Sequence, residues 1–244
     1  MVEKIEEKGP GSDPRKRKPA GTPGKGTPLL YVRDLRVTEE QGGTCLLTLP
    51  ALDLYPGECV SIVGPSGAGK STLLKSLARL TMANLQVSGT YLYEGQDAYA
   101  LPVTNLRQSV SYCFQNPLLF GESVRDNLAF PAAIRKTSFD EARACRLLRQ
   151  SGLSADFLDR PISQLSGGER QRIALIRNLM VMPRVLLLDE ITSSLDQENA
   201  QKIWAWLGAC RDRFRLSYIF VSHDPAEQAM ADRKVSIEKR PSHV

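Results

Sequence analysis

A chain of 244 residues with 42% hydrophobic and 24% charged side chains can bury one large core, and no run in it approaches the roughly 20 apolar residues of a bilayer-spanning helix. Its net charge of +5 is concentrated in residues 1–28, where Lys4, Lys8, Arg15, Lys16, Arg17, Lys18 and Lys25 outnumber Glu3, Glu6, Glu7 and Asp13 by three, so the remaining body is close to neutral and no nucleic-acid partner is expected. Five cysteines (Cys45, Cys59, Cys113, Cys145, Cys210) form an odd set with no C-x-x-C pair, which argues against a disulfide framework or a zinc site and for reduced cytosolic thiols.

Residues 1–28 hold ten Gly or Pro and too few apolar side chains to offset the entropy of ordering them, and read as a disordered basic tail. No apolar stretch follows the charges, so the tail is not a signal peptide. A folded domain is expected over 29–244. Leu29, Leu30, Val32, Leu35 and Val37, then Leu46, Leu47, Leu49 and Leu52, predict a strand-rich opening. Tyr55-Pro56-Gly57-Glu58 is a turn, and Cys59-Val60-Ser61-Ile62-Val63 a short apolar strand that runs into a glycine-rich loop. Helices are expected over 70–80, over 139–150 with Ser138 and Glu141 at capping-box spacing, and after Ser166 with Ile173, Ile176 and Met180 on one face. Apolar strands at 185–188 and 218–221 flank a helix expected over 198–209. This alternation implies an α/β fold around a mainly parallel, covered sheet.

Gly64-Pro65-Ser66-Gly67-Ala68-Gly69-Lys70-Ser71 matches G-x-x-x-x-G-K-[ST] in full, between an expected strand and an expected helix. The glycines let backbone N–H groups converge on phosphate oxygens, the helix N-terminus adds partial positive charge, and Lys70 reaches the outer phosphates. Ser71 offers a hydroxyl to magnesium. Farther on, Val185-Leu186-Leu187-Leu188-Asp189-Glu190 delivers two carboxylates at the edge of the sheet where ligands bind, Asp189 toward the magnesium shell and Glu190 toward an attacking water. Taken alone, an apolar strand ending in Asp-Glu is an ordinary solvated strand end; the phosphate loop upstream is what favours the catalytic reading.

Leu165-Ser166-Gly167-Gly168-Glu169, followed by Arg170-Gln171-Arg172, resembles the signature of the ABC ATPases, although Ser166 and Glu169 also make a capping box. Gln115 resembles the Q-loop glutamine, Ser194-Leu195-Asp196 the D-loop, and His223 the switch histidine. The resemblance spans residues 29–240. It implies a P-loop NTPase of ABC type, with an N-terminal antiparallel β portion and a helical subdomain inserted over 115–166. By the same resemblance the loop from Gly64 to Thr72 binds ATP, while Ser166, Gly167, Gly168 and Asp196 of a second copy close over it. Ser71, Gln115 and Asp189 are implied to hold Mg²⁺; Glu190, Gln115 and His223 are implied to carry the chemistry. The implied partners are an identical subunit and an integral membrane permease on another chain, docked by the helical portion at the cytoplasmic face of the bacterial inner membrane.

Three features depart from the family pattern, one being Ser194 of the D-loop, where alanine is frequent. The segment 38–44 has no aromatic ring to stack on adenine, and Tyr31 lies too far upstream for that role. Glu190-Ile191-Thr192-Ser193 stands where Glu-Pro-Thr-Ser is common. A narrower likeness, carried by the run from Val110 to Pro117, by Leu119-Phe120-Gly121-Glu122-Ser123-Val124, Asp126-Asn127-Leu128 and Arg177-Asn178-Leu179, is to the ATP-binding subunits of bacterial iron-export transporters. Exposed apolar residues such as Leu118, Leu119 and Phe120 are the expected permease contact. Two alternatives stand beside transport: a soluble ABC ATPase of iron-sulfur cluster assembly and a nucleic-acid-associated ABC ATPase.

Overall fold

The computed structural model describes residues 26–238. The expected tail over 1–28 therefore falls almost wholly outside the described residues.

Chain folding opens with an antiparallel sheet of β1 (Leu30–Glu39), β2 (Cys45–Leu54), β4 (Leu85–Tyr93) and β5 (Gln96–Asp97), in the order β2-β1-β4-β5. Inward residues of β1 change phase midway: Leu30 and Val32 are buried, then Leu35 and Val37. The register against β4 shifts between Arg33 and Arg36, and Asp34 sits there at φ 51°. One extra residue thus keeps the apolar side chains on one face of the sheet. Gly89 opposite has φ 111°, and a Cβ on it would lie 2.5 Å from the Asp34 carbonyl oxygen, so the bulge requires glycine.

The second sheet is parallel, with the order β6-β7-β8-β3-β9. It comprises β3 (Cys59–Val63), β6 (Val110–Cys113), β7 (Val185–Asp189), β8 (Ser217–Val221) and β9 (Arg233–Ser236). Every residue of β7 and β8 is buried, as expected for strands covered on both faces. Alternate side chains feed two cores. Val185 and Leu187 of β7, with Ile219 and Val221 of β8, join the core built on the antiparallel sheet and α1 (Lys70–Leu77). Leu186 and Leu188, with Tyr218 and Phe220, face a second core that includes α3 (Val124–Ala133), α4 (Glu141–Gln150), α5 (Gly167–Leu179) and α6 (Gln197–Phe214).

Between Gln115 and Ser166 lie α3, α4 and short 3₁₀ helices at Ala155–Asp159 and Ile162–Gln164. α2 (Val103–Ser109) precedes β6, and α7 (Pro225–Gln228) follows β8. Three expected boundaries differ. α1 stops at Leu77 instead of running to 80: Arg79 turns to φ 53°, and its guanidinium binds the carbonyls of Ala98 and Leu101. α4 is capped by Asp140, which accepts from the Arg143 N–H, and not by Ser138. α6 continues past 209 to Phe214 because Cys210 still packs inward.

At the carboxyl edge of the parallel sheet, β3 ends in the glycine loop, β6 leads to Gln115, β7 to Asp189 and Glu190, and β8 to His223. Residues scattered over 160 positions are gathered at one edge by strand order alone, where ligands of such sheets bind.

Candidate functional site

The loop between β3 and α1 is built around glycines that side chains could not replace. Gly64 has φ 153°, and a Cβ there would lie 2.3 Å from the Ile237 carbonyl oxygen; Gly69 has φ 94° and backs onto Leu46 and Leu47 of β2. At Gly67 (φ 76°) nothing lies within 4 Å of the Cβ position, on the exposed rim of the loop with Pro65 and Ser66. Gly69 caps α1 without a side chain, so the first-turn N–H groups of Lys70, Ser71 and Thr72 meet no side-chain cap. A free helix start with its positive dipole end is a phosphate site. The Lys70 side chain is buried and its ammonium donates to the carbonyls of Gly64 at 2.9 Å and Pro65 at 3.0 Å. Those bonds hold the charge at the mouth of the loop.

Ser71 Oγ donates to Asp189 Oδ1 at 2.9 Å, joining residues 118 positions apart. The other carboxylate oxygen, Oδ2, accepts from the Tyr112 hydroxyl at 2.5 Å. Burial first, and this hydrogen bond second, push the Tyr112 phenol well above its ordinary range, so it keeps its proton as a donor. A hydroxyl and a buried carboxylate form a hard-oxygen donor set suited to magnesium, which binds through few protein ligands and keeps the rest for substrate and water. The residues present fit that ion.

Glu190 stands beside this pair in a strained backbone conformation, φ 48°. Its N–H donates to Val221 O at 3.1 Å, and its carbonyl accepts from Ser193 N at 3.1 Å and Ser193 Oγ at 2.9 Å, which together hold the strained residue in place. The side chain is clamped from two sides. His223 Nε2 lies 3.0 Å from Oε1, and Gln115 Nε2 donates to Oε2 at 2.9 Å. Two of the residues named from the sequence for the chemistry, Gln115 and His223, thus converge on the carboxylate of the third, Glu190.

The signature region forms a separate cluster. Ser166 accepts from the Glu169 N–H and Glu169 from the Ser166 N–H, the reciprocal cap expected from sequence. Asp196 caps α6 through Asn199, whose amide also donates to Asp196 Oδ2 at 2.7 Å. These bonds to Asn199 lower the Asp196 pKa, backbone first. Asn199 packs on Gly168, 3.3 Å from its Cβ position, and accepts from Arg172 at 3.4 Å. Among the described residues no hydrogen bond joins Ser166, Gly167, Gly168 or Asp196 to the loop from Gly64 to Thr72.

On either side of Gln115 the chain exposes Phe114, Leu118, Phe120, Phe130 and Ile134. Leu119 departs from expectation, being partly buried against the second core. Phe120 and Phe130 meet edge to face at 4.4 Å. Arg177 of α5 donates to the Leu118 carbonyl at 2.8 Å and lies 5.1 Å from the Phe120 ring centroid. Fully buried Asn127 exchanges hydrogen bonds with the Phe120 backbone and donates to Ser123 O. Sequence reasoning quoted Asn127 and Arg177 as motif letters without a role, and it assigned none to Tyr112, whose apolar strand context masks its hydroxyl. Tyr31 is engaged by Arg33, 3.9 Å from its ring centroid.

The family profile described as ABC transporter matches residues 47–193. The chain is 42% identical over 212 residues to the probable iron export ATP-binding protein FetA of Escherichia coli, covering 87% of this chain and 92% of that protein. It is 38% identical over 207 residues to a sulfate/thiosulfate import ATP-binding protein CysA of Bacillus cereus, of which it spans 56%. Among solved structures, cbiO1 from Clostridium perfringens, part of the ABC transporter complex cbiONQ, superimposes with a TM-score of 0.71 at 29% identity, covering 81% of this chain and 79% of that one. A bacterial Atm1-family ABC exporter with ATP bound gives 0.75 at 26% identity, with coverage of 91% and 40%.

Proposed function

This chain belongs to the ABC transporter family, as an ATP-binding subunit that hydrolyses ATP to drive transport, and from that premise we propose that two copies act beneath a separate membrane permease to export iron. The observation that carries the hydrolytic part of this reading is the clamp on Glu190, whose carboxylate is held by Gln115 and His223 beside Asp189.

In this reading Lys70 and the N–H groups from Gly64 to Thr72 take the ATP phosphates. Ser71, Asp189 and Gln115 would hold Mg²⁺, which when bound neutralises phosphate charge as it develops. Glu190 orients the attacking water and accepts its proton, with His223 keeping the carboxylate aimed. Ser166, Gly167, Gly168 and Asp196 stand apart from their own subunit's loop, which supports their closing over the nucleotide of the second copy. The exposed apolar group around Phe120, braced by Arg177 and Asn127, is the proposed permease contact. That contact would place the subunit at the cytoplasmic face of the inner membrane. No helix among the described residues is long and apolar enough to cross a membrane.

Iron as cargo rests on the 42% identity over nearly the full length of a protein named for iron export; other relatives are named for sulfate/thiosulfate or spermidine/putrescine import. The test is to express the subunit with its neighbouring permease gene in iron-loaded cells and measure total iron. Wild type should lower it and Glu190→Gln should not. Equal iron in both, with another solute changing, overturns the iron assignment.

A further inference from the structure

We infer that Tyr112 is a positioning residue for the magnesium-holding carboxylate of Asp189, an inference that rests on the proposed role of Asp189 in ATP hydrolysis. Tyr112 lies on β6 opposite Leu187 of β7, so its side chain emerges on the same face of the sheet as Leu187 and Asp189. Its ring is anchored in the first core and packs edge to face on Phe114 at 4.8 Å. The hydroxyl reaches along the sheet to Asp189 Oδ2 at 2.5 Å, while Oδ1 takes Ser71 at 2.9 Å.

A buried carboxylate with a donor on one oxygen only can still rotate; donors on both oxygens fix its plane. The arrangement leaves Oδ1, on the Ser71 side, as the oxygen directed toward the nucleotide, and occupies Oδ2 with a neutral donor. Asp189 would then meet the ion through one oxygen or through a water, not as a two-oxygen clamp. A phenylalanine at 112 would fill the same space in the core, so the hydroxyl itself is what the carboxylate needs. Partners of this kind behind a metal ligand typically change metal affinity by about 10–100-fold when removed.

The experiment compares Tyr112→Phe with wild type and with Asp189→Asn. In Tyr112→Phe the Mg²⁺ concentration for half-maximal ATPase activity should rise about tenfold, with the maximal rate at saturating Mg²⁺ close to wild type. Independently of turnover, ATP binding to the Glu190→Gln background should weaken on adding Tyr112→Phe when Mg²⁺ is present and stay unchanged in EDTA. Unaltered Mg²⁺ dependence, or equal weakening with and without Mg²⁺, overturns the inference. If Asp189→Asn itself leaves the Mg²⁺ dependence unchanged, the reading of the site fails; if Asp189→Asn loses it and Tyr112→Phe does not, the inference about Tyr112 alone fails. Should Tyr112→Phe not fold, fluorotyrosine placed at 112 keeps the hydroxyl. Its fluorine resonance should move when Mg²⁺ is added to the ATP-bound protein, and a stationary signal overturns the inference.

Discussion

Nε2 of His223 lies 3.0 Å from Oε1 of Glu190, a contact across 33 residues that places the end of β8 against the end of β7. The carboxylate it holds belongs to a residue at φ 48°, so the side chain is aimed by its backbone as well as by its partners. Both sources of order would serve the role proposed for Glu190, keeping a base in place before water arrives.

Glu190→Gln removes the proposed base while preserving shape. Turnover should fall by about a hundred- to ten-thousand-fold, with ATP binding retained. A dimer should accumulate with ATP on size-exclusion chromatography; near-normal hydrolysis would move the base elsewhere.

Lys70→Ala deletes a buried cation whose bonds to Gly64 and Pro65 hold it at the loop mouth. Hydrogen bonds to charged groups contribute about 1.5–3 kcal/mol, so ATP affinity should drop by at least about tenfold. Fluorescence titration checks this, and unchanged binding would remove the phosphate-loop assignment.

Gly64→Ala sets a Cβ 2.3 Å from the Ile237 carbonyl oxygen at a φ of 153°. Backbone must shift, at a cost of about 2–4 kcal/mol. Thermal unfolding should show a lowered midpoint without nucleotide, whereas Gly67→Ala, with open space around it, should show the strain of its φ alone.

Leu118→Asp alters a side chain 69% exposed. Stability should move by no more than about 0.5 kcal/mol and ATPase activity of the isolated subunit should persist. Co-purification with the permease should be lost; full retention would shift the contact to another surface.

Desolvation raises the thiols of Cys59 and Cys113 from 9.0 to about 12, and that of Cys210 to about 11. Each folded thiol stays neutral over a range in which the unfolded chain ionises. The folded state therefore binds more protons above pH 9, and stability falls as pH rises from 9 toward 11–12, being fully present below 9. Denaturant midpoints across that range check the sign, and thiol labelling at pH 8 should be slow for these three cysteines.

Local signals in the sequence carry much of this protein. The phosphate loop, the strand ending in Asp189 and Glu190, and the reciprocal cap of Ser166 and Glu169 are each written in fewer than ten consecutive residues, because turn geometry and capping involve near neighbours. Family resemblance, not periodicity, extended that reading to Gln115, Asp196 and His223. What tertiary structure decided is whatever depends on distant partners. β9 reads as the polar run Arg233–Ser236 and becomes a strand by pairing with β3. α1 ends early because Arg79 finds carbonyls at Ala98 and Leu101. Tyr112 becomes a polar group of the site only because β6 lies beside β7, bringing its hydroxyl to a carboxylate 77 residues away. The order of strands in a sheet is set by how whole faces pack, and no short stretch of sequence contains that information.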